Sequence, residues 1–410
     1  MTGDSLIPIG ALLLVACLIA IVTRRLGLPY IVGLVVAGIL IPFLPNAPQL
    51  PLSRDLIFEG FLPPLVFEAA LQLEWKRFRR ELPLTLTLAL AGVAIAAGIV
   101  AAGMHYLAGW SLIGAAIFGV LIAATDPVSV IASFRELNAE PRLRMVVESE
   151  SLLNDAVVAV AFAVLAGIAA GGATSFPGAI AEFAWTALVG LGVGIAASAA
   201  VLTVVGRTSD PLVEIALTTI AAYGSFLIAE RLHGSGVLAS LTAGLVIGNV
   251  GWSRAISPAS RKHVEIAWDF LAFLANSFVF ILIGMNTAEQ PLQIVGLAVA
   301  GIAILLVLAG RAASIYALAP LFARTRLRLS GAYQHILFWG GLRGALALAL
   351  ALAVPASVAE RWPIIITAFI VVAFSILVQG LTMPWLVRRL GVCASDSEAT
   401  PAIAGERAGG

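Results

Sequence analysis

Apolar runs, each long enough to cross a hydrocarbon core of about 30 Å, recur along almost the whole chain. Thirteen of them predict transmembrane helices, at 5–22, 28–44, 55–74, 82–104, 108–133, 145–171, 178–204, 210–230, 234–250, 264–286, 291–319, 329–352 and 362–387. The third carries Glu59, Pro63, Pro64 and Glu68, and the ninth is short. A first apolar run can be a secretory signal. No A-x-A-like site follows Ile21, however, and a second run begins at once, so a retained helix is expected.

The basic residues test this pattern independently, because Lys and Arg gather in short cytoplasmic loops. After the odd-numbered runs come Arg24 and Arg25; Lys76, Arg77, Arg79 and Arg80; Arg135, Arg142 and Arg144; Arg207; Arg254, Arg261 and Lys262; Arg324, Arg326 and Arg328; and Arg388 and Arg389, which makes 18. The loops after even-numbered runs hold only Arg54, Arg231 and Arg361, while Arg311 and Arg343 fall inside runs and Arg407 lies in the tail. The alternation predicts an N-terminus outside and a C-terminus in the cytoplasm.

An odd number of spans suits two six-helix halves of inverted topology around a central span. The expected division is a membrane domain over 1–390, with one repeat at about 5–171, a linking span at 178–204 and a second repeat at about 210–387. Residues 391–410 are expected to be a short disordered cytoplasmic tail. One pairing gives the symmetry specific support. The fifth run is interrupted at Ala124-Thr125-Asp126-Pro127, and its counterpart, the twelfth, at Gly340-Gly341-Leu342-Arg343-Gly344. Proline removes a backbone donor and glycine permits unusual dihedrals, so free carbonyls and helix ends can be presented to an ion at mid-membrane. Taken singly, either break also reads as a kink between packed helices.

Composition explains why the remaining charges are informative. Hydrophobic residues make up 60% of the 410 and charged residues 11%, where globular chains carry about 25% charged. Mean hydropathy is +1.03. The formal net charge of +1 gives no field to attract nucleic acid or a soluble acidic partner. Cys17 and Cys393 do not suggest a disulfide.

A charge at mid-membrane costs at least about 2.5–3.5 kcal/mol on insertion scales, so such groups face a cavity, pair, or bind a substrate. The densest group is Glu148-Ser149-Glu150-Ser151-Leu152-Leu153-Asn154-Asp155, entering the sixth run. In a helix, Glu150 and Asn154 share one face at i,i+4, and Ser151 and Asp155 a second. Glu148 falls nearer the cytoplasmic edge. Asp155 can serve as carboxylate or neutral acid, and Ser151, Asn154, Thr125 and Asp126 add hard oxygen atoms suited to a small cation. His105, His233, His263 and His335 are scattered toward run ends, which argues against a zinc or copper site, and H-E-x-x-H is absent. Arg311 and Arg343 each need compensation, with Glu150 the leading candidate partner for either. Glu68 is a further acid within a run, while Glu214, Glu230, Glu265 and Asp269 lie near run ends, where snorkelling or an entrance funnel accounts for them. Gly190-Leu191-Gly192-Val193-Gly194 reads as close helix packing and not as a nucleotide loop.

Four motifs together, Pro63-Pro64-Leu65-Val66-Phe67-Glu68, Ala124-Thr125-Asp126-Pro127-Val128, Glu150-Ser151-Leu152-Leu153-Asn154-Asp155 and Gly340-Gly341-Leu342-Arg343-Gly344-Ala345, make the sequence resemble the CPA1 group of monovalent cation/proton antiporters. That group includes the bacterial NhaP-type sodium/proton antiporters and the animal sodium/hydrogen exchangers. The resemblance covers about residues 5–390 and implies an all-α polytopic membrane protein of the NhaA-like fold, with 13 transmembrane helices, inverted six-helix repeats and two unwound crossing helices. It places the ion-binding carboxylate on Asp155, with Ser151, Thr125 and Asp126 as further sodium ligands and Glu68 as an accessory acid. Asn154-Asp155 is the pair associated with electroneutral exchange, where the electrogenic group has Asp-Asp. Glu150 with Arg311 would form a stabilising ion pair, and Arg343 is the arginine of the second crossing helix. The resemblance also implies a homodimer in a bacterial inner membrane, with a core of about six helices moving like an elevator. No cofactor is expected beyond the transported cation and proton. The long regulatory domain of many relatives has no counterpart in 391–410, so regulation by a soluble partner is not expected.

The residues themselves support the same chemistry through competition at one site. If Asp155 holds either a proton or a dehydrated cation, and the empty charged site crosses reluctantly, exchange is obligatory and needs no ATP. Sodium/proton exchange for pH and sodium homeostasis is the leading expectation. Potassium/proton exchange is the alternative, because oxygen ligands alone do not report cavity size. A membrane sensor would ordinarily need an attached signalling domain, and an intramembrane hydrolase would need a histidine placed beside Ser151. An enzyme is therefore not expected.

Overall fold

The computed structural model describes residues 6–26, 28–44, 53–128, 130–131, 134, 137, 139–172, 175–208, 210–252, 256, 258–288, 290 and 294–392. Arg135, Arg254, Cys393, Arg407 and the rest of 393–410 lie outside them. Helices carry nearly all of the described chain, and no sheet occurs among the described residues. Helix α1 (Leu6–Leu26) is followed by α2 (Tyr30–Phe43), which opens after Pro29. A wide π turn at Leu56–Phe61 leads into α3 (Leu62–Gln72), whose first turn holds Pro63 and Pro64. The turn sits where two successive prolines withdraw two donors from the helical ladder.

Helix α4 (Trp75–Ala108) begins seven residues before the expected apolar run, so the basic stretch from Lys76 to Arg80 is helix and not loop. Its charged face stays exposed while Phe78 is buried, which lets an amphipathic first turn extend an apolar helix outward. Gly109 ends it with φ of 72°, a left-handed conformation that glycine adopts without a Cβ penalty. Helix α5 (Leu112–Leu121) is then capped from two directions. The Ser111 hydroxyl accepts the Gly114 N–H at 3.2 Å, and Glu360 accepts both the Ser111 N–H and hydroxyl at 2.8 Å. Burial pushes the Glu360 carboxyl up, but the Ser111 hydrogen bonds outweigh it and hold the group below the usual carboxylate value.

Proline occupies the first turns of α6 (Pro141–Ala169), α7 (Phe176–Val205) and α8 (Pro211–Arg231), where a missing N–H is tolerated. They are followed by α9 (Gly236–Gly251), α10 (Pro258–Ala288) and α11 (Gly296–Phe322). Helix α12 (Gly331–Trp339), started by a Ser330 cap, is separated by a glycine-rich break from α13 (Ala345–Leu352), and α14 (Arg361–Leu390) completes the set. Among the described residues seven helices, α4, α6, α7, α8, α10, α11 and α14, are long and apolar enough to cross a membrane, and α2, α5 and α9 are shorter apolar helices. The protein is therefore a multi-pass membrane protein.

Helix packing sorts into two groups. One gathers α1, α2, α3, α7, α8, α9 and α10; the other gathers α4, α5, α6, α11, α12, α13 and α14, and contacts between the groups are sparser than those within them. In the first group the expected glycine packing is present. A Cβ at Gly190 would lie 2.6 Å from the Ser235 carbonyl oxygen and one at Gly194 2.5 Å from that of Ala239, so α7 and α9 touch backbone to backbone. The second group contains both interrupted segments. Its end near α12 is tied by Arg142, which binds Glu81 of α4 through two bonds of 2.9 and 3.1 Å and also reaches the Arg328 carbonyl at 3.2 Å.

Candidate ion site at two meeting helix breaks

Between α5 and the continuing chain, residues 124–127 leave the helix, as do 341–344 between α12 and α13. The two breaks meet through the backbone: the Asp126 N–H donates to the Leu342 carbonyl at 2.7 Å. Sequence explains why carbonyls are exposed here. The Ala123 carbonyl would normally accept the N–H four residues on, but that residue is Pro127, which has none. The Ala124 carbonyl loses its donor differently, since the Val128 N–H turns to Asp126 Oδ1 at 2.9 Å.

Arg343 supplies what the break removes. Its Nη1 donates to Ala123 O at 2.7 Å and to Ala124 O at 3.0 Å, while its own N–H donates to Ser375 Oγ at 3.0 Å. The expected pairing of this arginine with a carboxylate is replaced by bonds to two orphaned carbonyls, which supply partial negative charge without a second ion. Glu150 pairs instead with Arg311, through a bidentate contact of 2.8 and 3.1 Å. The side chains are 8% and 2% exposed, and Arg311 further donates to Leu337 O at 3.1 and 2.8 Å.

The polar turns of α6 press against the first break. The Ser151 hydroxyl donates to the Thr125 carbonyl, and Asn154 Nδ2 donates to Ala123 O at 3.2 Å and Thr125 Oγ1 at 3.3 Å. Asp155 lies one turn beyond Ser151. Its Oδ1 is buried without a hydrogen-bond partner among the described residues. A buried acceptor left open is costly unless something else binds it.

The Asp155 residue lines a cavity of ≈ 110 Å³ between the two helix groups. Thr125, Asp126, Ser151, Asp155 and Gly344 line one wall; Leu62, Leu65, Glu68 and Asn276 line the other. Of the residues singled out from sequence, Glu68, Thr125, Asp126, Ser151 and Asp155 thus share one cavity, while Asn154, Glu150, Arg311 and Arg343 stand behind it. Glu148 also lines the cavity and pairs with Arg144 at 2.9 Å. Such a cluster of carboxylates, hydroxyls and carbonyls can hold a small dehydrated cation or protons.

Sequence reasoning missed three groups. Asn276 reaches the cavity from α10, where its only signal is an amide in mid-run. Gln72 donates to Glu68 and, at 2.9 Å, to Asp269 Oδ1, so these two acids, far apart in sequence, are bridged by one amide. Glu214 is fully buried on α8, so snorkelling from a helix end does not account for it.

Both glycines of the second break are spatially required. A Cβ at Gly341 would lie 2.6 Å from Arg311 Nε, and one at Gly344 would overlap the Asp126 carboxylate. Gly344→Ala is expected to lower the unfolding temperature in detergent through overpacking worth about 1–3 kcal/mol. An unchanged melting curve would show that the breaks have room to spare.

The family model described as "Sodium/hydrogen exchanger, transmembrane" matches residues 12–389. The Na(+)/H(+) antiporter ApNhaP of Aphanothece halophytica is 40% identical over 377 residues, covering 90% of this chain and 71% of its own. The low-affinity Na(+)/H(+) antiporter NhaS1 of Synechocystis sp. is 37% identical, covering 96% of this chain and 75% of its own. In fold, the chain is similar to the solved structure of the sodium proton antiporter MjNhaP1 from Methanocaldococcus jannaschii at pH 8, with a TM-score of 0.73 at 20% identity over 93% of this chain and 97% of that one. Matched along nearly its whole length, with two helix breaks meeting at a cluster of oxygen ligands, the chain belongs to the transmembrane sodium/hydrogen exchanger family.

Proposed function

We propose that the protein is a secondary active sodium/proton antiporter serving pH and sodium homeostasis. The observation that carries this reading is Asp155, which lines a cavity with Thr125, Asp126 and Ser151 and whose buried Oδ1 has no hydrogen-bond partner among the described residues. In this reading Asp155 holds the sodium ion or a proton in turn, Ser151, Thr125 and Asp126 complete the ligand set, and Glu68 draws cations toward it. Asn154, Glu150, Arg311 and Arg343 hold the breaks in place.

Exchange is electroneutral here, one proton for one cation, because a single carboxylate alternates between two monovalent loads while its neighbour Asn154 cannot titrate. The architecture supporting it is thirteen transmembrane helices in two inverted six-helix halves, over 5–171 and 210–387, linked by 178–204. The protein sits as a homodimer in a bacterial inner membrane, with its N-terminus outside and its C-terminus cytoplasmic. The group of helices containing both breaks moves against the other group to expose the cavity to each side alternately.

In everted vesicles, added sodium is expected to dequench a pH-sensitive dye, with lithium and potassium titrated beside it to rank the cations. Silence with all three would overturn the reading. In proteoliposomes the initial rate should not respond to an imposed potential, and a clear voltage dependence would rule out one-for-one exchange.

A further inference from the structure

Helix α10 carries several polar side chains, and nearly all are used within the protein. Ser277 Oγ is hydrogen-bonded with the Tyr30 hydroxyl at 2.8 Å; Asn286 Nδ2 donates to Leu282 O at 2.9 Å; Thr287 Oγ1 donates to Ile283 O at 2.6 Å; Asp269 accepts from Gln72 at 2.9 Å. Within the apolar run 264–286, Asn276 is the exception among the described residues. Its amide makes no hydrogen bond among the described residues, and it lines the same cavity as Asp155 from the opposite helix group. An amide in mid-membrane without a partner is expensive, and one at a cavity wall is free to meet whatever enters.

The chemistry of that wall narrows the role. The α3 residues on it are the apolar Leu62, Leu65, Val66 and Ala69 and the charged Glu68. Asn276 is the wall's uncharged polar side chain, and its Oδ1 is a neutral hard ligand of the type that suits sodium or lithium. A proton on Asp155 needs no second ligand. A partly dehydrated cation does, and its radius decides how well an oxygen held on the far wall can reach it.

We infer that Asn276 is a specificity-determining residue that donates its amide oxygen to the transported cation from the wall opposite Asp155. This rests on the exchange reading above. Because the amide does not titrate, it adjusts cation affinity without altering the charge moved per cycle or the competition by protons at Asp155.

The test is exchange by the full-length protein in everted vesicles, with sodium and lithium titrated separately at several pH values. Asn276→Ala is expected to raise the apparent KM for sodium roughly tenfold, about the worth of one polar contact to a charged partner. The lithium KM should change by a different factor, and the pH dependence of the maximal rate should stay as in the wild type. Asn276→Asp, which keeps an oxygen in place, should restore much of the sodium affinity lost in the alanine variant. Equal shifts for both cations, or a fall in maximal rate alone, would make Asn276 a structural residue and overturn the inference. If Asn276→Ala does not accumulate in the membrane, Asn276→Ser serves instead, and unchanged cation KM values there would likewise overturn it. Wild-type vesicles that exchange no cation would refute the exchange reading itself, a result distinct from wild-type exchange that is indifferent to position 276.

Discussion

Asp155→Asn is expected to abolish sodium-driven dequenching, down to the signal of vesicles lacking the protein. The substitution keeps side-chain volume, so the fold has little reason to change. Among the described residues that line the cavity, it replaces the carboxylate that presents a buried oxygen with no partner. An amide cannot take up a proton at accessible pH, so one half of the exchange disappears. The carboxylates then left on the cavity are each engaged elsewhere: Asp126 Oδ1 with the Val128 N–H, Glu68 with Gln72 and Glu148 with Arg144. Both loads are lost together. Wild-type rates in this variant, with normal elution on size exclusion, would remove Asp155 from the site.

The second large effect concerns stability. Glu150→Ala leaves the Arg311 guanidinium buried with, among the described residues, only the Leu337 carbonyl to hold it. Removing one partner of a buried pair typically costs about 3–5 kcal/mol, because the remaining charge is stranded. The variant should therefore unfold at a distinctly lower temperature in detergent, and in the membrane it should accumulate poorly. Replacing both partners, with Glu150→Leu and Arg311→Met, should be less damaging than Glu150→Ala alone, since no charge is then left behind. If Glu150→Ala melts with the wild type, the pair contributes nothing to the fold, and Glu150 must be sought in transport instead.

Much of this was legible because apolar helices tolerate few polar residues, so those present stand out. The breaks at 124–127 and 340–344 could be read from Pro127 and the glycines. The i,i+4 spacing of Glu150 with Asn154 and of Ser151 with Asp155 was readable from the chain as well. Partners were harder to read. Either arginine satisfies the need of Glu150 for a cation in one dimension. The choice of Arg311 depends on Arg343 being occupied by the two carbonyls freed at the first break, which only the meeting of the two breaks reveals. Asn276 and Gln72 were invisible for another reason. A lone amide in an apolar run carries no spacing signal, and its significance depends on which helix lies opposite. The early start of α4 was missed because the stretch from Trp75 to Arg80 is too polar to look membrane-bound, although its helical ladder continues through it.

The bond from the Asp126 N–H to the Leu342 carbonyl joins the two breaks with main-chain atoms only. No side-chain replacement at either position deletes it, apart from proline at 126. An alanine scan would pass over this joint without registering it. The joint is thus written in backbone geometry and not in side-chain identity, and a comparison of structures is the place to look for it.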